Sequence, residues 1–279
     1  MKNSKSFFRF GIMFLVSTAL IFCAAMGVWA ATTTAAGDVK VPILMYHHIN
    51  PRYDEGNSSA NLTPEEFRLH MMTLQARDYH VVSLRDYYDH VINGTALPEN
   101  PIVITFDDGY SSNYEEAFPI LKELNIPATI FVVTDTVGET PAGGKVNYAH
   151  FTWAQAREMQ ESGLIDIQSH SNSHCKMAET SPDQMQRELR KSKYLIEKNV
   201  GKTCDMFAYP FGSFNAQTKQ AARKAGYKMQ ILVGDIVKDY ANEVNVRSEG
   251  AESLKRITVR GHMSNLELIE AIETAKAAK

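Results

Sequence analysis

With 29 Lys and Arg against 32 Asp and Glu over 279 residues, and a formal net charge of -3, the chain lacks the basic excess of a nucleic-acid binder or of a protein held on an acidic surface. Once an N-terminal leader is set aside, about 240 residues remain, which suits one domain with a single substantial core and a monomer.

That leader opens the chain. Lys2, Lys5 and Arg9 precede residues 11–30, an uncharged and almost wholly apolar run, and Val28-Trp29-Ala30 offers a small-x-small cleavage site. Residues 1–30 therefore read as an export signal. The run is also just long enough to cross a bilayer, so a retained N-terminal membrane anchor is the competing reading. Either way the rest of the chain lies outside the cytoplasm, secreted or on the extracellular face of the membrane. Residues 31–38 read as a polar linker and 39–279 as the folded domain. Cys23 falls in the leader. An oxidising compartment would allow one bridge between Cys175 and Cys204, with separate buried thiols as the alternative.

The domain begins with the apolar run VPILMY at 41–46, a buried strand ending in His47-His48. TPEE at 63–66 supplies a cap, an N1 proline and an N3 glutamate for a helix that carries Phe67, Met71 and Leu74 on one face. A short strand at 79–82 and a helix at 84–92 follow. PIVITF at 101–106 is a second buried strand, and it runs into TFDDG at 105–109. A helix over 114–124 is expected to bend or restart at Pro119. Next come a strand at 128–133, a long glycine-containing loop at 135–150, a helix at 152–161 and a strand at 164–168. SHSNSH occupies 169–174, and SPDQ at 181–184 caps a long helix to about residue 198. A strand at 206–209 ends in Pro210-Phe211-Gly212, and a helix covers 215–225. A strand at 227–233 leads to Asp235. The last strand and helix are 256–259 and 264–275.

Short strands alternating with longer helices predict parallel βα units in an α/β fold. Seven or eight strands without a Rossmann-type glycine signature after the first favour a distorted (β/α) barrel of about seven parallel strands. Function should then gather at the strands' carboxyl ends, where each polar cluster falls.

DDG alone is as compatible with an Asx turn and helix cap as with a site. His170 and His174 alone are as compatible with packing. Together they suggest a site of two imidazoles and one carboxylate with a position left for water. The second carboxylate could then take a proton from that water. His47 or His48, at another strand end, could protonate a leaving group; a capping or packing pair is the alternative.

These motifs resemble the polysaccharide deacetylase family, the NodB-homology or carbohydrate esterase family 4 group. TFDDG resembles its first motif, SHSNSH its second, and YPFG at 209–212 its third, which lines the substrate groove. The resemblance covers nearly everything from Val41 onward. It implies Asp107 as catalytic base and Asp108, His170 and His174 as ligands of one divalent metal ion, with zinc favoured over cobalt or nickel. It also implies an oxyanion donor at the backbone N–H near Phe211, and Tyr209, Pro210 and Phe211 as substrate contacts. Asp235 is a weaker candidate to fix a histidine or bind sugar. Tyr148 and Trp153 join Tyr209 and Phe211 as candidate stacking surfaces.

Two departures stand out. The family's third motif usually starts with an arginine that orients the catalytic aspartate, and the residue here is Ala208. The late strand ending in leucine-histidine is also missing. VPILMYHH at 41–48 resembles that strand displaced to the front, as in exopolysaccharide deacetylases of the poly-N-acetylglucosamine type. His47 is therefore the expected general acid, with His48 and His262 as substitutes. Arg256 or Arg260 could take over the missing arginine's role, with a solvated terminal charge as the alternative for either. The implied substrate is an N-acetylated polysaccharide, poly-N-acetylglucosamine first, with peptidoglycan, chitin-like oligomers and acetylated xylan as alternatives. A non-catalytic carbohydrate-binding surface protein on the same fold is the rival class.

Overall fold

The computed structural model describes residues 39–50, 60–140, 148–233, 240 and 243–277. The expected leader and linker, and Asp235, lie outside the described residues.

β1 (Val41–Tyr46) and the two-residue β2 (His48–Ile49) and β3 (Asn61–Leu62) lead into α1 (Pro64–Ala76). Then come β4 (His80–Val81), α2 (Leu84–Asn93), β5 (Pro101–Phe106), α3 (Phe118–Leu124), β6 (Ala128–Val132) and α4 (Trp153–Glu161). They are followed by β7 (Ile165–Ser169), α5 (Pro182–Val200), β8 (Met206–Ala208), α6 (Ala216–Lys224) and β9 (Met229–Ile231). β10 (Val244–Asn245), β11 (Ile257–Thr258) and α7 (Asn265–Ala277) finish the chain.

Seven parallel strands are neighbours in the order β11-β1-β5-β6-β7-β8-β9. Past β9, the residues just ahead of β11 carry the curl back toward β1. Ile231 bridges Leu254 in parallel, and the Leu232 N–H donates to the Leu254 carbonyl at 2.7 Å. This is the distorted barrel that the alternation predicts. β10 adds an antiparallel pairing at the start of β1, and β4 a parallel one at the start of β5.

β1, β5 and β6 are buried at every residue, as strands covered on both faces must be. Their side chains divide by the two-residue strand period. Val41, Ile43, Val103, Phe131, Met206, Ala208, Met229 and Ile231 share an inner cluster, which Leu84, Tyr87 and Val91 of α2 join. Leu44, Tyr46, Ile104, Phe106, Ile130, Ile167 and Phe207 pack outward with residues of the surrounding helices. The capping box predicted at Thr63–Glu66 forms, and a second forms at Thr152–Gln155, each satisfying helix N–H groups that would otherwise lack partners.

The helix expected to bend or restart at Pro119 does restart there. Residues Asn113–Ala117 form a π-helical turn before α3 instead of its first turn. Pro119 has no N–H to give and needs clearance from the carbonyl four residues back, which the wider turn supplies. Cys175 and Cys204 are separate thiols, the latter fully buried.

Candidate active site

The alternation that turns Val103 inward also turns Thr105 and Asp107 inward at the carboxyl end of β5. The chain then goes left-handed twice, at Asp108 (φ 72°) and Gly109 (φ 85°). A side chain at Gly109 would meet Val132 at 3.2 Å and Phe151 at 3.4 Å as well as an unfavourable φ. This turn sends the neighbouring carboxylates to different surroundings.

Asp107 is 1% exposed and lies against Arg256, which is 0% exposed. Arg256 Nη1 donates to Asp107 Oδ1 at 2.7 Å and Nη2 to Oδ2 at 2.6 Å. Its remaining donors reach the Leu232 carbonyl (2.7 Å, from Nε) and Thr105 Oγ1 (3.3 Å, from Nη1), and its guanidinium lies 5.8 Å from the centre of the Phe131 ring. A fork-to-fork pair of this kind is the arrangement that makes a buried guanidinium tolerable. Burial pushes the Asp107 pKa up, but Arg256, then His170 and His47, outweigh it and hold the acid well below the usual carboxylate range.

Asp108 faces the histidines. Its Oδ1 is buried with no hydrogen-bond partner among the described residues. It lies 3.6 Å from His170 Nε2 and 3.3 Å from His174 Nε2. One ligand atom from each of Asp108, His170 and His174 falls within 4.8 Å of the others. His170 Nδ1 is 2.9 Å from the Ala208 carbonyl. A carbonyl only accepts, so Nδ1 carries the proton and the neutral ring's lone pair sits on Nε2, toward Asp108. Burial lowers the His170 pKa against the pull of both aspartates. An orphaned buried oxygen with two imidazole nitrogens beside it suits a divalent ion with a further position open.

The other expected residues separate. His47 has a buried Nδ1 without a partner among the described residues, and its charge is felt by Asp107. Its carbonyl is fixed by Asn113 Nδ2 at 2.7 Å. His48 instead turns to Ser112 Oγ at 2.5 Å and stacks on Tyr110 with centroids 4.9 Å apart. Burial, helped by His150, lowers its pKa to about 4. His262 sits at the surface, 3.5 Å from Glu66.

Tyr209 and Pro210 correct the expectation of a three-residue sugar contact. Tyr209 is 0% exposed, its ring packs on Phe207 and its hydroxyl donates to Gln230 Oε1 at 2.5 Å. The two-residue period of β8 continues through it and places its ring in the outer core. Pro210 is also buried. Phe211, left-handed at φ 57°, is 59% exposed and lies 4.5 Å from the His174 ring. Trp153 packs against the outer core.

Sequence reasoning missed the roof over this turn. Ser111 N–H donates to the Ala149 carbonyl at 2.7 Å and Phe151 N–H to the Gly109 carbonyl at 3.2 Å, which brings His150 beside Tyr110. Tyr110 lies between the rings of His48 and His150. Burial, then the charge of Asp108 and a hydrogen bond to it, raises the Tyr110 pKa. The only hint in the sequence is the aromatic run NYAHF at 147–151 inside a segment that otherwise reads as loop.

The polysaccharide deacetylase family pattern matches residues 94–230. A putative polysaccharide deacetylase of Bacillus subtilis is 32% identical over 248 residues, which is 89% of this chain and 80% of that protein. Poly-beta-1,6-N-acetyl-D-glucosamine N-deacetylases of Staphylococcus epidermidis and Staphylococcus aureus are 30% and 28% identical, each over 60% of this chain and 59% of their own length. The chain thus matches about three fifths of those enzymes. Among solved structures, the Streptococcus pyogenes deacetylase PplD in complex with acetate superimposes with a TM-score of 0.71 at 28% identity, over 84% of this chain and 98% of that one. IcaB from Ammonifex degensii, 24% identical over 86% of this chain and 98% of its own, shares the fold with a TM-score of 0.72.

Proposed function

This chain belongs to the polysaccharide deacetylase family, and we propose that it removes N-acetyl groups from an extracellular poly-N-acetylglucosamine, releasing acetate. The observation that carries this reading is the division of labour between adjacent carboxylates. Asp107 is ion-paired by Arg256, and Asp108 keeps an oxygen without a hydrogen-bond partner among the described residues, beside His170 and His174. The choice of substrate is supported by the two staphylococcal relatives and by a histidine pair at the end of the first strand.

Asp108, His170 and His174 would hold the ion, zinc in preference to cobalt or nickel. When bound, it supplies a Lewis acid that acidifies water and polarises the acetyl carbonyl. Asp107 takes the proton of the attacking water. Arg256 occupies one lone pair on each of its oxygens and leaves the others free. The pairing with Arg256 keeps Asp107 ionised and so able to accept that proton. The Phe211 backbone N–H supports the developing oxyanion. His47 donates its proton to the departing amine, and the exposed Phe211 ring offers a face to the sugar. Arg256 replaces the family arginine absent at Ala208, which removes the chief argument for a non-catalytic relative. Residues 1–30 export the chain, cleaved or as an anchor; among the described residues no helix is long and apolar enough to cross a membrane.

The test is acetate release from poly-N-acetylglucosamine, peptidoglycan, chitin oligomers and acetylxylan, each with added Zn²⁺ or chelator. Zinc-dependent release, fastest from poly-N-acetylglucosamine, is expected. Faster release from another polymer would overturn the substrate, and release undiminished by exhaustive chelation would overturn the metal.

A further inference from the structure

The ligand histidines are four residues apart, yet no helix holds them. The connecting turn is left-handed at Ser171 (φ 68°) and at His174 (φ 56°), backbone that side chains with a Cβ seldom adopt. Such a turn persists only where its surroundings fix it.

Two sets of bonds do so. On one side, the stretch after β6 grips the turn: Thr134 N–H donates to the Ser171 carbonyl at 3.2 Å and Asp135 N–H to the Asn172 carbonyl at 2.8 Å. Thr134 Oγ1 also donates to Asn172 Oδ1 at 3.1 Å. On the other side stands one carboxylate from α5. Glu188 Oε2 accepts the N–H groups of Asn172 (3.0 Å) and Ser173 (2.8 Å), and Oε1 accepts the Ser173 hydroxyl at 2.8 Å. Glu188 is 8% exposed, an uncommon burial for a carboxylate. The partners found here are amide and hydroxyl donors, joined by the Cys175 thiol.

We infer that Glu188 is a positioning residue for the metal centre. By gathering two successive N–H groups onto one oxygen it fixes the Asn172–Ser173 peptide, and with it the left-handed step that aims His174 at Asp108. His170 is held from outside the turn, its N–H by the Val132 carbonyl at 2.9 Å and its ring by the Ala208 carbonyl, whereas the His174 N–H donates at 2.9 Å to Ser171 Oγ of the turn itself and so depends on what fixes the turn. The inference rests on the metal reading above.

Co²⁺ uptake by the whole chain, followed by visible absorption and by competition with Zn²⁺, tests it. Glu188→Ala is expected to weaken metal affinity about 10- to 100-fold, the usual effect of losing an outer-shell partner, and to alter the Co²⁺ spectrum. Glu188→Gln, whose amide oxygen can still accept both N–H groups, is expected to restore affinity and spectrum. Glu188→Asp keeps the charge but withdraws the oxygens by one methylene, and serves if the alanine variant does not fold; it should resemble alanine. Wild-type affinity and spectrum in the alanine or aspartate variant would overturn the inference, as would a glutamine variant as weak as alanine. A wild-type chain that binds no Co²⁺ or Zn²⁺, or whose uptake survives His174→Ala, would overturn the metal reading itself.

Discussion

The inner and outer sides of this site solve the same electrostatic problem in opposite ways. On the inner side Asp107 and Arg256, both essentially inaccessible, satisfy each other through two hydrogen bonds inside the barrel. On the outer side Asp108 keeps a buried oxygen without a partner among the described residues, beside a histidine whose side chain is 31% exposed. A carboxylate compensated by the protein itself can take part in chemistry and return unchanged. One left uncompensated at the rim is suited to a cation from solution. Adjacent residues in one motif are thus separated by a left-handed turn into a fixed and a receptive half.

The sharpest break of this contrast is Asp107→Asn. We expect acetate release to fall about 10³- to 10⁴-fold, the upper range for loss of a general base, while Zn²⁺ uptake at the outer side is retained. Equal loss of zinc would show that the two halves are not separate. Arg256→Met comes next, and urea denaturation should register it at about 3–5 kcal/mol, because it leaves a buried carboxylate unpaired. Its pH dependence carries a sign. In the wild type the folded pKa of Asp107 is depressed, so its stabilisation is full above the unfolded carboxylate pKa and declines as pH falls. Without Arg256, burial dominates and raises that pKa. Stability from this group should then increase on acidification, and the acid limb of kcat/KM should move to higher pH. An unmoved acid limb would refute Arg256 as the partner that sets Asp107. His47→Ala should cost about 10²-fold in kcat, the lower range for a general acid, with KM and zinc affinity little altered. An unchanged rate would remove His47 from the proton path.

How far the sequence carried differs between the halves. The barrel was legible because β1, β5 and β6 are unbroken apolar runs that exclude a solvated face. The cluster of Asp108, His170 and His174, whose ligand atoms could hold a metal ion, was legible because its residues fall in two short motifs at strand ends. Arg256 was only half legible. The strand period puts Ile257 and Val259 in the outer cluster, so Arg256 and Arg260 both fall on the opposite parity. Which of them lies deep enough to meet Asp107 depends on β11 pairing with β1 at Leu44 and Met45, a register no local pattern encodes. The same strand period, read on from β8, warned that Tyr209 would face the core, but the motif's resemblance to a groove hid it. Glu188 was out of reach, since its partners are backbone groups of a distant loop.

His47 and His48 repeat the contrast at the smallest scale, and they yield the last and smallest effect. His47 Nδ1 and His48 Nε2 are both buried without a partner among the described residues, but the His48 ring is stacked on Tyr110 and tied through Nδ1 to Ser112, whereas His47 lies where Asp107 feels it. Ser112 Oγ also accepts the Ile49 N–H at 3.1 Å, so the His48 ring is tied through this hydroxyl to the backbone of its own short strand. The folded pKa of His48 is about 4 against an ordinary 6.5. Between those values the unfolded chain binds a proton that the folded chain refuses, so stability is full above the unfolded pKa and falls as pH drops toward the folded one. The expected loss from this group is about 2 kcal/mol between pH 7 and pH 5. His48→Gln can still hydrogen-bond the Ser112 hydroxyl but does not titrate, so it should flatten the stability curve over that interval while leaving acetate release at pH 7 near wild type. If the curve keeps its slope, the titrating group is another one. If acetate release collapses with the slope, His48 is no bystander, and the division between a reactive and a locked histidine fails.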